Sequence, residues 1–278
     1  MNRIIKKEVL GEKIKKMEIE SGLIAKKALP GQFIVLRVDE KGERIPLTIA
    51  GTNREKGTIT IIFQEAGTST VKLGLLKEGE EILNVAGPLG NPVEIERYGT
   101  VCIIVGGVGA AFVYWMASSF KEAGNYLITV MGARSKNLLI LEREMESISD
   151  EIHVATDDGS KGKKGFTTDI LSALISGEKK IDYILTAGPI PMMKKVSDIT
   201  LPAGIKTIAS LNPIMVDGTG MCGGCRVSIN GKVKFACVDG PDFDAHSVDF
   251  DELLRRTNLY RKEEELSYKH VCRIGLGK

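Results

Sequence analysis

The sequence predicts an antiparallel β-barrel, then an α/β doubly wound parallel sheet, then a small cysteine-bearing unit. Three features of the 278 residues carry this. Up to about residue 97 the apolar residues fall in short β-rich runs broken by glycine and proline, as antiparallel strands joined by tight turns require. From 100 to about 211, apolar strands alternate with helical stretches, the pattern of a parallel sheet with crossover helices. Beyond that, the run VDGTGMCGGCRVSINGKVKFAC at 216–237 sets an acid and three cysteines at short intervals. The predicted units are 1–97, 98–211 and 212–278.

The strands of the first unit are expected at 14–19, 33–38, 45–50 and 58–63, with a helical run at 71–76. In the second unit the order is strand 101–105, helix 110–123, strand 126–132, helix 138–148, strand 152–156, helix 167–175, strand 183–187 and helix 191–199. The third unit has a hairpin turning at Asn230 and Gly231, a pair suited to a tight turn because both tolerate positive φ. Its charged tail, 250–270, is expected to be helical in part and either to dock on a partner or to cap this unit.

Charge narrows the function classes. Basic and acidic side chains nearly cancel, leaving a net charge of +2, and the lysines and arginines are scattered, so no nucleic-acid footprint is present. No run approaches the roughly 18 apolar residues of a membrane span, and the basic start lacks an apolar signal core. The expectation is a soluble cytoplasmic protein with no nucleic-acid or membrane partner. Five cysteines, three of them in one ligand pattern, speak for a reducing compartment.

Asp217, Cys222, Cys225 and Cys237 are separated by four, two and eleven residues. This is the plant-type spacing of a [2Fe–2S] centre with aspartate in the first place. Glycines 218, 220, 223 and 224 let the loop wrap closely around a cluster and adopt positive φ. A structural zinc site or a loop of free thiols fits the same residues. Cys102, within an apolar run, reads as a small buried hydrophobe.

Glycine-rich junctions follow three strands of the second unit: Gly106-Gly107-Val108-Gly109, Asp157-Asp158-Gly159 and Gly188-Pro189. All would lie at the carboxyl edge where open α/β sheets bind ligands, and the first would bring a pyrophosphate to a helix N-terminus. In the barrel, Arg44 and Thr48 lie four residues apart on one strand face, offering a fork for phosphate and a hydroxyl for a ring atom. Gly67-Thr68 opens a helix whose free N–H groups suit a second anionic group. A surface salt bridge for Arg44 and an ordinary N-cap for Thr68 are the plainer alternatives.

The ordered set Pro30-Gly31-Gln32-Phe33, Arg44-x-Pro-Leu-Thr48, Gly67-Thr68, Gly87-Pro88-Leu89-Gly90, Gly106 to Gly109, Gly132-Ala133-Arg134-Ser135, Thr156 to Gly159 and Gly188-Pro189-x-Pro-Met192 resembles the ferredoxin–NADP reductase superfamily over nearly the whole chain. With the C-terminal loop added, the chain is similar to two subunit families. These are the electron-transfer subunit of dihydroorotate dehydrogenase and the small (alpha) subunit of NADH-dependent reduced ferredoxin:NADP oxidoreductase. Asp217 favours the second, because the orotate relative uses four cysteines. Two departures stand out: Phe112 replaces a usual proline at the helix start, and Ala187 replaces a cysteine before Gly-Pro.

The resemblance implies that Arg44, Pro46, Leu47 and Thr48 hold FAD, with Phe63, Gly67 and Thr68 completing its site. NAD(H) would lie over Gly107, Val108 and Gly109, with Arg134, Asp157, Asp158, Gly188 and Met192 around it. Asp217, Cys222, Cys225 and Cys237 would ligate the [2Fe–2S] cluster, and no residue acts as a general acid or base. The implied partner is a larger flavin and [4Fe–4S] subunit, with ferredoxin reached indirectly, in electron bifurcation. An electron-transfer subunit for dihydroorotate dehydrogenase or a sulfur-reducing hydrogenase, and a non-enzymatic zinc-stabilised binding module, remain alternatives.

Overall fold

A computed structural model describes residues 2–177 and 179–273. The first unit contains strands β1 (Ile4–Gly11) and β2 (Ile14–Glu20), helix α1 (Gly22–Lys27), strands β3 (Phe33–Arg37), β4 (Arg44–Asn53) and β5 (Thr58–Gln64), helix α2 (Thr68–Leu75) and strand β6 (Asn84–Leu89). They form one antiparallel sheet in the order β1-β2-β5-β4-β3-β6. The segment before β6 returns to β1, with the Ile4 N–H donating to the Glu80 carbonyl and the Ile82 N–H to Asn2, and this closes the barrel. Apolar residues recurring along the strands, Met17, Ile19, Ile34, Leu36, Ile49, Ile59, Ile61 and Phe63, are buried inside it. Each contributes roughly 1.5–3 kcal/mol on burial.

The remaining elements are β7 (Thr100–Gly106), α3 (Gly109–Glu122), β8 (Tyr126–Ala133), α4 (Glu142–Ile148), β9 (Glu151–Thr156), β10 (Lys163–Lys164), α5 (Thr167–Ile175), β11 (Tyr183–Ala187), α6 (Ile190–Thr200), β12 (Lys206–Ser210), β13 (Arg226–Ile229), β14 (Lys232–Phe235), α7 (Ala236–Asp239), β15 (Asp242–Asp244), α8 (Phe250–Thr257) and α9 (Arg261–Arg273). The second sheet runs β10-β9-β8-β7-β11-β12-β15. Its strands pair in parallel except β15, which lies antiparallel against β12. The chain winds outwards from β7 in both directions, so the doubly wound topology is observed, with its switch point between β7 and β11. Helices α3 and α4 cover one face with Val113, Met116, Phe120 and Met145. Helices α5 and α6 cover the other with Ile170, Leu171 and Val196.

Several elements differ from the sequence reading. The helix expected over 138–148 begins only at Glu142, after a 3-10 turn at Lys136–Leu138, because Leu141 takes a φ of 55° and interrupts the run. Helix α2 starts at Thr68, three residues earlier than expected. Strands β1, β6, β10, β12 and β15 and helices α1 and α7 lie outside the sequence expectations. The 250–270 tail is helical in two pieces, α8 and α9. Asn230 and Gly231, at φ 51° and 71°, turn the β13–β14 hairpin as expected.

Candidate functional site

The candidate residues lie along two edges, and α3 links them. It begins at Gly109 under the glycine loop and packs along β4. Its Trp115 lies against the same apolar cluster as Ile45 and Leu47 of β4. The strand carrying Arg44, Pro46, Leu47 and Thr48 therefore faces the α/β sheet. Thr48 pairs with Phe33 and Pro46 with Val35 in the β3–β4 ladder. Arg44 is exposed and makes no ion pair among the described residues, so the salt-bridge alternative is not seen.

At α2 the N-cap is Gly67, not Thr68. The Thr70 hydroxyl accepts from the N–H groups of Ala66 and Gly67, each at 3.0 Å. Thr68 is left with an exposed-side hydroxyl 3.1 Å from that of Ser267 in α9. A Cβ at Gly67 would meet nothing within 4 Å, so the helix start is open to a ligand. Phe63 differs from its expected place: at 2% exposure its ring belongs to the barrel core and is closed to a ligand.

Gly107, Val108, Gly109, Gly188 and Met192 are brought together at the β7–β11 switch point. The space above Gly107 is open, whereas a Cβ on Gly109 would run into the Ala187 carbonyl. The thioether of Met192 lies across both strand ends, 2.8 Å from a Cβ built on Gly106 and 2.9 Å from one on Gly188. Arg134, Asp157 and Asp158 continue the same edge outwards. The Asp157 and Asp158 N–H groups each donate at 3.2 Å, to the Ala133 and Arg134 carbonyls. The Ser160 hydroxyl and N–H hold the Asp158 carboxyl below its usual range.

The C-terminal loop docks on the barrel. Gly218 has a φ of 78°, and a Cβ there would come within 2.8 Å of Val35 and 2.9 Å of Leu89, so glycine alone lets the loop lie on β3 and β6. Cys225 and Cys237 are buried in a cluster that joins Phe33 and Val35 of β3, Met193 of α6, Ala209 of β12 and Phe243 of β15. Their sulfurs are 3.2 Å apart. Asp217 receives the Thr219 N–H at 2.6 Å on one oxygen and the Cys222 N–H at 3.0 Å on the other, and these bonds hold its carboxyl low.

Among the described residues no three His, Cys, Asp or Glu side chains converge on a single point. Cys225 and Cys237 form one close thiol pair, and Asp217 is tied to Cys222 through that residue's backbone N–H; four ligands gathered about one ion, as a structural zinc wants, are not seen among the described residues. Burial, reinforced by the contact with Cys225, pushes the Cys237 thiol up to about 12. It stays protonated until a metal takes it as thiolate. The pairing of Asp217 with the Cys222 N–H had no signal in the sequence beyond proximity, and the contact of Thr68 with Ser267, 199 residues away, had none.

Residues 212–249 match the profile described as the iron–sulfur cluster binding domain of dihydroorotate dehydrogenase B. A Thermotoga maritima protein named as a homolog of the dihydroorotate dehydrogenase B (NAD(+)) electron transfer subunit is 50% identical over 98% of this chain and 96% of its own. A probable electron transfer subunit of the same enzyme from Methanocaldococcus jannaschii is 35% identical, covering 84% and 85%. Among solved structures, a chain of the NADH-dependent reduced ferredoxin–NADP oxidoreductase, described for flavin-based electron bifurcation, superposes with a TM-score of 0.92 at 48% identity over 98% of both chains. Phthalate dioxygenase reductase, at 16% identity and a TM-score of 0.58 over 82% and 85%, shares the fold. The barrel, the doubly wound sheet and the cysteine loop are thus one inheritance, and the chain belongs to the dihydroorotate dehydrogenase B electron-transfer subunit family of ferredoxin reductase-like oxidoreductases.

Proposed function

We propose that this chain is an FAD and [2Fe–2S] electron-transfer subunit that exchanges hydride with NAD(H) and trades electrons with a larger flavin and [4Fe–4S] subunit, in bifurcation between NADPH, ferredoxin and NAD. The observation that carries the reading is the seating of the Asp217 loop on β3, the strand paired with the β4 strand of Arg44 and Thr48. Neighbouring strands are about 5 Å apart, so a flavin on β4 and a cluster in the loop would be separated by little more than one strand.

In this reading the barrel of residues 1–97 binds the flavin. Arg44 would pair with the diphosphate, Thr48 would hydrogen-bond the ring, and Pro46 and Leu47 would hold the strand against it. The N-terminal end of α2 at Gly67 and Thr68, where the Gly67 N–H is already given to the Thr70 hydroxyl, would take the remaining phosphate charge, and Phe63 would serve only as packing beneath. Residues 98–211 would place the nicotinamide. Gly107, Val108 and Gly109 would admit the pyrophosphate, Gly188 and Met192 would bound the nicotinamide end, and Arg134, Asp157 and Asp158 the adenosine end. The bound flavin supplies the conversion between hydride and single-electron chemistry. The chain's own work is orientation and the exclusion of water. In residues 212–278, Asp217, Cys222, Cys225 and Cys237 would hold the cluster.

Visible and EPR spectra of the anaerobically purified chain, before and after NADH, test this. Flavin bleaching with a rhombic S = 1/2 signal is the expected result. A colourless, EPR-silent, zinc-containing protein would make the loop structural. The names of the curated relatives favour a second reading, delivery of electrons to a dihydroorotate dehydrogenase. Identifying the subunit that co-purifies with this chain decides between the two.

A further inference from the structure

Among the described residues one carboxylate is closed off from solvent with neither oxygen hydrogen-bonded, that of Asp242. It stands on β15 opposite Ser210 of β12. Its Oδ2 lies against Gly31, where a Cβ would come within 2.8 Å of it and within 2.9 Å of the Val93 nitrogen. The carboxyl thus occupies the seam between the turn before β3, the connection into β7 and the edge of the second sheet.

Among the described residues no positive group acts on it. Ser210 is the polar side chain that opposes the effect of burial on it, and neither carboxylate oxygen has a partner at hydrogen-bonding geometry. The Tyr183 hydroxyl of β11 senses its charge. On the connection, Glu94 is 3.8 Å from Lys206 of β12, whose ammonium sits 4.9 Å over the Tyr98 ring. In the turn before β3, the Gln32 amide donates to the Gly90 carbonyl. Burial, opposed only weakly by Ser210, lifts the Asp242 carboxyl to about 7, since desolvation disfavours the charged form.

The seam adjoins both proposed centres. Gly31 is two residues ahead of Phe33, the partner of Thr48 in the ladder. Asp242 follows Cys237 closely, and the intervening Gly240 carbonyl accepts the Asn91 N–H at 2.6 Å. We propose that Asp242 takes up a proton when an electron reaches the cluster, offsetting the added negative charge. One electron, originating in NADH, enters the cluster; one proton passes from solvent to the carboxylate, forming the neutral acid; oxidation returns both. Added charge at low dielectric raises the proton affinity of a nearby carboxylate, and by reciprocity the proton raises the potential. This inference rests on the FAD and [2Fe–2S] reading above.

The test is potentiometric EPR titration of the cluster across the neutral pH range in the flavin- and iron-loaded chain and in Asp242→Asn. The natural chain's midpoint should fall with rising pH, towards about 59 mV per unit for one proton per electron. Asp242→Asn should be flat, and Asp242→Glu should recover a slope. If the Asn variant does not fold, Asp242→Val, neutral and without unmet hydrogen bonds, takes its place with the same expectation. Equal slopes in natural and neutral chains, or a flat natural chain, overturn the proposal. A chain without iron and sulfide on chemical analysis refutes the cluster reading itself, and this inference falls with it.

Discussion

At the scale of single residues, Asp217 has the most to reveal. Its two oxygens already accept loop N–H groups, so it organises the loop whether or not it binds iron. Asp217→Cys should retain a cluster and move its midpoint on the order of 59 mV, a tenfold change in a one-electron equilibrium. An unchanged midpoint and an unchanged EPR spectrum would show that the carboxylate is not a ligand. The candidate ligand set could be proposed because all four residues fall within one local segment, where spacing alone constrains geometry. Asp242 was not legible. Its isolation comes from β15 pairing with β12 and from Gly31 closing over it, contacts between residues far apart in the chain.

At the scale of elements, the start of α3 is where backbone meets backbone. Gly109 lies so close to the Ala187 carbonyl that Gly109→Ala must push the start of α3 away from the end of β11 at the switch point. The overpacking should cost about 1–3 kcal/mol, which is roughly 2–4 °C in melting temperature per kcal/mol for a chain of this size. NADH affinity should fall with it, read by titration of flavin bleaching; full affinity with an unchanged melting temperature would mean that the loop relaxes freely. The core strands of the second sheet were readable because a buried parallel strand is a continuous apolar run. The opposite holds for β1, whose IIKKEVLG interleaves lysines, and for β12, whose KTIAS is too short to stand out. Leu141 shows the limit of periodicity: the apolar spacing of 138–148 suits a helix, yet its left-handed backbone holds the start of the helix back to Glu142.

At the scale of the whole molecule, two sets of carboxylates set the response to pH. Lys121 and the Leu127 N–H hold Asp150 low, and Lys180 and the Thr100 N–H hold Asp182 low. Both favour the folded state above the unfolded carboxylate range and lose that effect as acid protonates them. Asp242 has the reverse sign. Folded, it keeps its proton to about 7; unfolded, it releases it near 3.9. Between those values the native state binds more protons, so stability falls as pH rises, by up to about 1.4 kcal/mol per unit. Urea midpoints at mildly acidic and neutral pH should therefore converge in Asp242→Asn, and an identical decline in both chains would show that Asp242 ionises freely in the folded state. The strand that buries this group also bears on how the protein is made. Because β15 is an edge strand of the second sheet and is encoded after every other strand of it, the edge of β12 stays bare on the nascent chain until the cysteine loop has emerged. Assembly of the iron centre and completion of the sheet are thereby tied to the same late moment of synthesis.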